Sequence, residues 1–471
     1  MSDPRFTPDQ RRVLISLAGA LALVFGVLGF AVFTTSPFRR TSSVGSTNPS
    51  PLSPVTTPTV VSPIASPSPA ATPIPTPAAP LSPIQSARFV QEVGQIVAGM
   101  RELPPVEQIP VTFPTAHELA LTLLQRYQEE QPQEELALYT DLGLIPALDP
   151  PPLPDVSEQA AHILSLYVPD EQQILLVSGR GPATTEDELA VVHALVHALQ
   201  HKQFNLGTVS PCQPTTDAAL ALKALIEGDA VMTTARYAES ESDQEEISQL
   251  ARMAAGAEEP SYAPIAENAA FEQLRLFPYQ EGAHLLAALY EEGEWERVNR
   301  AYARPPCSTE QVLHPGRYLA GEPVEDVALP DLGTTLGEGW DLMRRDTLGE
   351  LLVGLHLAAH LESDGMAWEG ADGWAGDTFE LWENEEGEQV LAWRIGWDNR
   401  DEAEAFERAY ALLVPRFRTP PLIVADAPYD LHGCFWEGPA GSAYLVRAGR
   451  VATVVWGPDF ETLLTVAEAL P

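Results

Sequence analysis

An uncharged apolar run at residues 13–33 constrains the folding of this chain more than any other feature. At about 1.5 Å per helical residue it reaches about 30 Å, which is the thickness of a bilayer's hydrocarbon core. A cleaved signal peptide and a buried core helix are the alternatives. A signal peptide has a shorter apolar region and a small-residue cleavage site, whereas here Arg39 and Arg40 follow closely. We therefore predict an uncleaved, single-pass transmembrane helix.

Residues 34–86 consist almost wholly of Pro, Ser, Thr, Ala and Val, and 44 of the 471 residues in the chain are proline. No packed core can form from this composition, which predicts a disordered, extended stalk with polyproline character. Arginines lie on both sides of the apolar run, but Arg5 favours a cytoplasmic location for the tail at residues 1–12. The stalk and the domains that follow it would then be extracytoplasmic.

The net charge of −39 comes from 66 acidic and 27 basic residues. Such a charge repels phosphate backbones, so it argues against a nucleic-acid partner and favours a solvated protein surface. The partners that remain are the membrane, through residues 13–33, and a protein or peptide ligand.

Ordered sequence resumes at residue 87, and its pattern changes near residue 331. Residues 87–331 predict a mainly helical domain with two short strands around Pro169, a helix break at 277–279 and a loop at 305–331. Residues 332–471 predict a smaller α+β domain, so the fold class is α+β. Its expected elements are a helix at 337–361, a strand pair at 378–397, a helix at 401–414, a hairpin at 434–455 and a helix at 459–470.

Three cysteines are too few for a disulfide scaffold. Cys212 and Cys307 both lie in predicted loops, and an extracytoplasmic location would permit a bridge between them. The sequence leaves that pairing open. Cys434 lies in a predicted strand, where a small buried side chain is expected.

The helix predicted at 189–206 carries His193 and His197 four residues apart, so both imidazoles lie on one helical face. This spacing is that of the HExxH motif of zinc peptidases, but Ala194 occupies the glutamate position. Catalytic zinc has three protein ligands and an open fourth position. Glu227, in the next helix, is the candidate third ligand, and Asp229 or another nearby acid could orient a histidine.

Two histidines four residues apart are weak evidence by themselves, and His356 and His360 repeat the spacing in another helix. We interpret that second pair as structural or surface histidines. His201, one turn beyond His197, could extend a metal-binding face, although a solvated side chain is the simpler expectation.

The wider context of the first pair resembles the gluzincin-type, neutral zinc metallopeptidase-like proteins. The similarity rests on HALVHALQHKQFNL at 193–206, ALIEGDA at 224–230, SLYVPDEQQILLV before the helix, and FPYQEGAHLLAALYEEGEW, STEQVLHPGRY and GEPVEDVALPDL after it. It covers roughly residues 160–331, and more loosely the WAGDTFELWE stretch. The resemblance implies that His193, His197 and Glu227 are zinc ligands. It also implies that the strand near 174–177 is the edge strand lining a substrate cleft.

Ala194 departs from the family because a methyl group cannot accept a proton from the attacking water. A positioned general base is worth about 10²–10⁴ in rate, so no catalytic residue is assigned. The sequence therefore predicts a membrane-anchored, extracytoplasmic pseudopeptidase that retains Zn²⁺ and acts in binding or scaffolding at the cell surface. A weakly active zinc-dependent peptidase and a metal-free envelope adhesion module are the alternatives.

Overall fold

The computed structural model describes residues 82–130, 133–145, 164–178, 185–241, 269–428 and 431–470. The transmembrane helix predicted at 13–33 lies outside these ranges, as does the stalk up to residue 81. Within the described ranges, every helix is too short or too polar to cross a membrane.

The first described helix begins earlier than the sequence suggested. Helix α1 spans Pro83–Met100, and Ser82 and Gln85 form a reciprocal capping box at its N-terminus. Proline is favoured at the first helical position because its fixed φ suits a helix, and because the N–H that it lacks would have no partner within the helix there. Residues 83–86 therefore belong to α1 and not to the predicted stalk.

Helices dominate the described residues up to 320. They are α2 at Ala116–Glu130, α3 at Gln133–Asp141, α4 at Thr185–Phe204, α5 at Thr216–Glu241, α6 at Ala269–Ala301, α7 at Thr309–Leu313 and α8 at Pro315–Ala320. Three short strands accompany them: β1 at Val111–Thr112, β2 at Ser165–Val168 and β3 at Gln173–Leu176. The helices α7 and α8 lie within the 305–331 stretch that was expected to be a loop.

Strand β3 lies in the middle of its sheet, whose order is β1-β3-β2. Strand β1 pairs with it in parallel, and the Ile174 N–H donates to the Pro110 carbonyl at 2.9 Å. The expectation of an edge strand at 174–177 is therefore wrong. A two-residue strand flanked by prolines carries too little alternation to be recognised from sequence, so the segment that covers this edge was missed.

Helix α6 continues through Pro278, where the sequence predicted a break. Phe277 and Tyr279 are buried in the core on either side of the proline, and this packing outweighs the lost hydrogen bond. The backbone leaves helical geometry at Gly293 and Glu294 instead, and Glu294 has a φ of 54°.

The C-terminal part is built on an antiparallel sheet of seven strands in the order β4-β5-β6-β10-β9-β8-β7. The strands are β4 at Trp340–Asp346, β5 at Trp374–Asn384, β6 at Gln389–Trp397, β7 at Ile423–Ala425, β8 at Cys434–Gly438, β9 at Gly441–Ala448 and β10 at Val451–Gly457. The helices are α9 at Leu332–Leu336, α10 at Gly349–His360, α11 at Asp364–Ala371, α12 at Arg400–Phe417 and α13 at Phe460–Ala469.

The predicted helix at 337–361 is partly wrong, because its first portion is the edge strand β4. Gly337 and Gly339 have φ values of 85° and 92°, outside the helical region, and pairing with β5 supplies the backbone hydrogen bonds. The expected hairpin at 434–455 turns between Gly438 and Gly441, but its second half divides into β9 and β10.

The two parts share one hydrophobic core. It contains Leu225 of α5 and Leu289 of α6 together with Leu355 of α10 and Trp393 of β6. The chain is therefore α+β, as predicted, with helix α10 of the C-terminal part packed against the N-terminal helices.

A disulfide joins Cys212 to Cys307, whose Cα atoms lie 5.4 Å apart. Cys434 begins strand β8 as expected, but its side chain is exposed and not buried. Strand β7 pairs only with residues 435–437 of β8, so Cys434 extends past the end of that pairing.

Candidate metal centre

Two neighbouring helices place the predicted metal ligands. His193 and His197 lie one turn apart on α4, and Glu227 lies on α5, which packs against α4. Helix α6 crosses α5 closely at this point. A Cβ atom added to Gly228 would lie only 2.2 Å from the carbonyl carbon of Gly282. The residue after Glu227 must therefore lack a side chain for the helices to pack as they do.

The structure brings these three side chains together. The Nε2 atoms of His193 and His197 are 3.0 Å apart, and each lies 3.4 Å from Glu227 Oε2. Atoms bound about 2.0–2.1 Å from a tetrahedral zinc ion lie about 3.3–3.4 Å from one another. Glu227 Oε2 is buried and accepts no hydrogen bond within the described chain. The donor set and its spacing therefore fit a metal ion.

Burial and the close approach of the three groups together set the protonation of the centre. Burial lowers the pKa of His193 to about 4, against the smaller opposing effect of Glu227. Burial alone would raise the pKa of Glu227, but the two imidazoles outweigh it and hold that pKa below its ordinary value. A neutral imidazole and an ionised carboxylate are the forms in which these groups bind metals.

Gln200 orients His197, a contact that was not predicted. The Nδ1–H of His197 donates to Gln200 Oε1 at 2.8 Å, and Gln200 Nε2 donates to the Ile226 carbonyl at 2.9 Å. With Nδ1 engaged in this way, the Nε2 lone pair of His197 faces Glu227. The i, i+3 spacing of His197 and Gln200 was the only sequence signal for this contact.

Asp229 does not orient a histidine as expected. Its carboxylate forms a two-point ion pair with Arg101, at 2.8 and 3.0 Å, and accepts the hydroxyl of Tyr302 at 2.7 Å. All three side chains are buried. Asp229 therefore holds α5 to the end of α1 and belongs to the structural core.

The other histidines lie apart from this centre. His356 is buried and its ring Nδ1 lies 2.7 Å from the Leu142 carbonyl, which agrees with the structural role predicted for that pair. His201 is partly buried, not fully solvated, and it contacts Gln172 and packs edge-on against Tyr167.

Ala194, at the position that glutamate occupies in the HExxH motif, is buried in the core. Across the residues that the structure describes, no further His, Cys, Asp or Glu joins the ligand group of His193, His197 and Glu227. The exposed fraction of the side chain is 10% for His193 and 1% for Glu227. Within the described ranges, these two ligand side chains are therefore largely shielded from solvent.

Residues 338–467 match the model of a family described as a domain of unknown function (DUF8575). The match covers all seven strands of the C-terminal sheet and none of the three ligands. No curated protein and no solved structure matches the chain.

Replacing Gln200 by leucine should weaken zinc binding by about 10–100-fold, because it removes the acceptor that orients His197. Competition against a chromophoric chelator would measure the affinity. Gln311→Leu is the matched control, since Gln311 is also buried and also uses both ends of its amide, in its case on the Cys307 N–H and the Glu322 carbonyl. Equal zinc affinity in the two variants would contradict the role assigned to Gln200.

Proposed function

We propose that this protein is a membrane-anchored, zinc-binding pseudopeptidase whose folded part lies outside the cytoplasm and binds a protein or peptide ligand without cleaving it. One observation carries the proposal: His193, His197 and Glu227 converge to within 3.4 Å, while Ala194 stands where the family has its base. The resemblance to zinc metallopeptidase-like proteins supports the same view.

His193, His197 and Glu227 would hold the ion. Zinc supplies Lewis-acid chemistry, polarising carbonyl oxygens and acidifying water. The role of this chain's own residues is structural, because the three ligands tie α4 to α5 and Gln200 fixes the orientation of one of them. Removal of zinc would leave the Glu227 carboxylate buried without a cation, which is costly in a protein interior.

Two features argue against efficient hydrolysis. The methyl group of Ala194 cannot take a proton, and a general base accounts for about 10²–10⁴ of the rate in enzymes that have one. In addition, β1 covers strand β3 on one side, so an extended substrate cannot add to β3 there. Binding of a ligand at another surface remains compatible with both features.

Membrane anchorage rests on the sequence. The apolar run at 13–33 has the length of a transmembrane helix, and the proline-rich stretch after it would hold the folded part away from the bilayer.

Elemental analysis of the full-length protein after chelator-free purification tests the proposal. We expect His197→Ala to lower the zinc content by about one equivalent, because a site with two protein ligands holds zinc poorly. His117→Ala, which removes an exposed histidine from α2, should leave the zinc content unchanged. Equal zinc in wild type and His197→Ala would contradict the zinc centre. Chelator-sensitive cleavage of a peptide library by the wild type would favour the enzyme alternative instead.

A further inference from the structure

A second group of ligand-type side chains lies where the two parts of the chain meet. His314 lies between α7 and α8, Glu350 in the first turn of α10 and Asp372 directly after α11. His314 Nε2 lies 3.0 Å from Glu350 Oε1 and 4.0 Å from Asp372 Oδ1. One ligand atom from each of the three residues lies within 4.8 Å of the other two.

The carboxylate of Glu350 is only half satisfied. Its side chain is 4% exposed and Oε1 contacts His314, but Oε2 is buried and has no hydrogen-bond partner in the described part of the chain. A buried carboxylate oxygen without a partner is costly. A cation or a proton on this oxygen would relieve that cost.

The surrounding charges do not supply that cation. Arg317 is the nearby guanidinium, but it already pairs with Glu310 at 3.2 Å, Glu322 at 2.7 Å and Asp398 at 2.7 Å. One arginine thus serves three carboxylates before Glu350 and Asp372 are considered. Burial, with repulsion from neighbouring carboxylates, raises the pKa of Glu310 to about 9 and also raises that of Glu350, so a bound cation would replace protons at these crowded acids.

We propose that His314, Glu350 and Asp372 bind a divalent transition-metal ion that joins the C-terminal sheet part to the N-terminal helices. One imidazole and two carboxylates suit Zn²⁺ or Mn²⁺ better than Mg²⁺ or Ca²⁺, which prefer oxygen ligands alone. The exposed fractions of His314 and Asp372 are 40% and 66%, so an ion can reach this site from solvent and keep water ligands.

The proposed site connects the two parts of the chain, whereas the buried centre connects the helices α4 and α5. His314 lies outside the residues that match the unknown-function family, whereas Glu350 and Asp372 lie inside them. An ion bound by all three would stabilise the contact between the two parts, because a ligand that binds only the folded state shifts unfolding by mass action.

The full-length protein with His197→Ala, stripped of metal by a chelator, separates this site from the buried centre. Titration with Mn²⁺, followed by electron paramagnetic resonance, and with Zn²⁺, followed by calorimetry, should show one remaining site. Thermal unfolding should shift upward by about 5 °C when the ion is about 100-fold above its Kd.

Asp372→Ala in this background should weaken metal binding by at least about tenfold. Substitution of residues that only hydrogen-bond to metal ligands already lowers metal affinity by that much, and Asp372 is itself a proposed ligand. Asp372 is exposed, so the substitution should not disturb folding. Asp341→Ala, on the exposed edge strand β4, is the matched control and should bind as the parent does. Glu350→Gln is a second variant that preserves shape while removing the charge.

Two outcomes would overturn the proposal: no ion bound in the His197→Ala background, or equal affinity in the Asp372→Ala and Asp341→Ala proteins. Either could occur while the wild type still holds one zinc at the buried centre, so the failure of this inference is distinguishable from that of the proposed function.

Discussion

Replacing Arg101 by methionine should lower the free energy of unfolding by about 3–5 kcal/mol, because it leaves the Asp229 carboxylate buried without an opposite charge. Arg101 and Asp229 are both fully buried and joined by two hydrogen bonds, and the guanidinium also lies 4.1 Å from the ring centre of Trp295. Methionine fills most of the volume of the arginine side chain, so the loss of stability reflects the removal of the charge. Urea denaturation of the full-length protein at pH 7 would measure it.

Arg88→Met is the matched control on the same helix. Arg88 pairs with Glu92, but both side chains are largely exposed, and exposed pairs contribute little. A second variant, Arg101→Met with Asp229→Leu, should recover much of the lost stability, because it removes both buried charges. If Arg101→Met is no less stable than Arg88→Met, the buried ion pair does not support the junction of α1 and α5.

Replacing Ala194 by glutamate should raise zinc-dependent peptide hydrolysis by about 10²–10⁴-fold, because it places a general base beside the two histidines. The expectation requires that zinc is bound and that the new carboxylate reaches the metal centre. Digestion of a peptide library, with and without chelator, would be followed by mass spectrometry.

Ala198→Glu is the control for the cost of placing a carboxylate on this helix, since Ala198 is buried one turn further along. It should give no hydrolysis. The double variant Ala194→Glu with His197→Ala should also be inactive, which would tie any activity to the metal. A folded, zinc-loaded Ala194→Glu protein without activity would mean that a carboxylate at position 194 is not sufficient for hydrolysis, and would contradict this prediction.

Local features of the fold could be predicted because their partners lie within a few residues. Thr115 and Glu118 form a capping box, with the Thr115 N–H donating to Glu118 at 2.7 Å, and the three-residue spacing of such a pair is visible in the sequence. The strands around Pro169 and the helix that carries His193 and His197 were expected on the same grounds. Helix α1 began early because the Ser82 cap was not recognised.

Predictions were less accurate for segments whose hydrogen-bonding partners are far away in the sequence. The residues at 340–346 form a strand only because β5 lies beside them, and β3 is an inner strand only because residues 110–114 pair with it. In both cases the backbone hydrogen bonds join segments far apart in sequence, and no local pattern reports them.

The sequence by itself determined that two imidazoles share one helical face and that alanine stands between them, since helical periodicity decides both. Only the tertiary structure decided which carboxylate meets them. Glu227 and Asp229 are two residues apart on α5, so they lie on different faces of the helix. Packing turns Glu227 toward the histidines and Asp229 toward Arg101, 128 residues away in the chain.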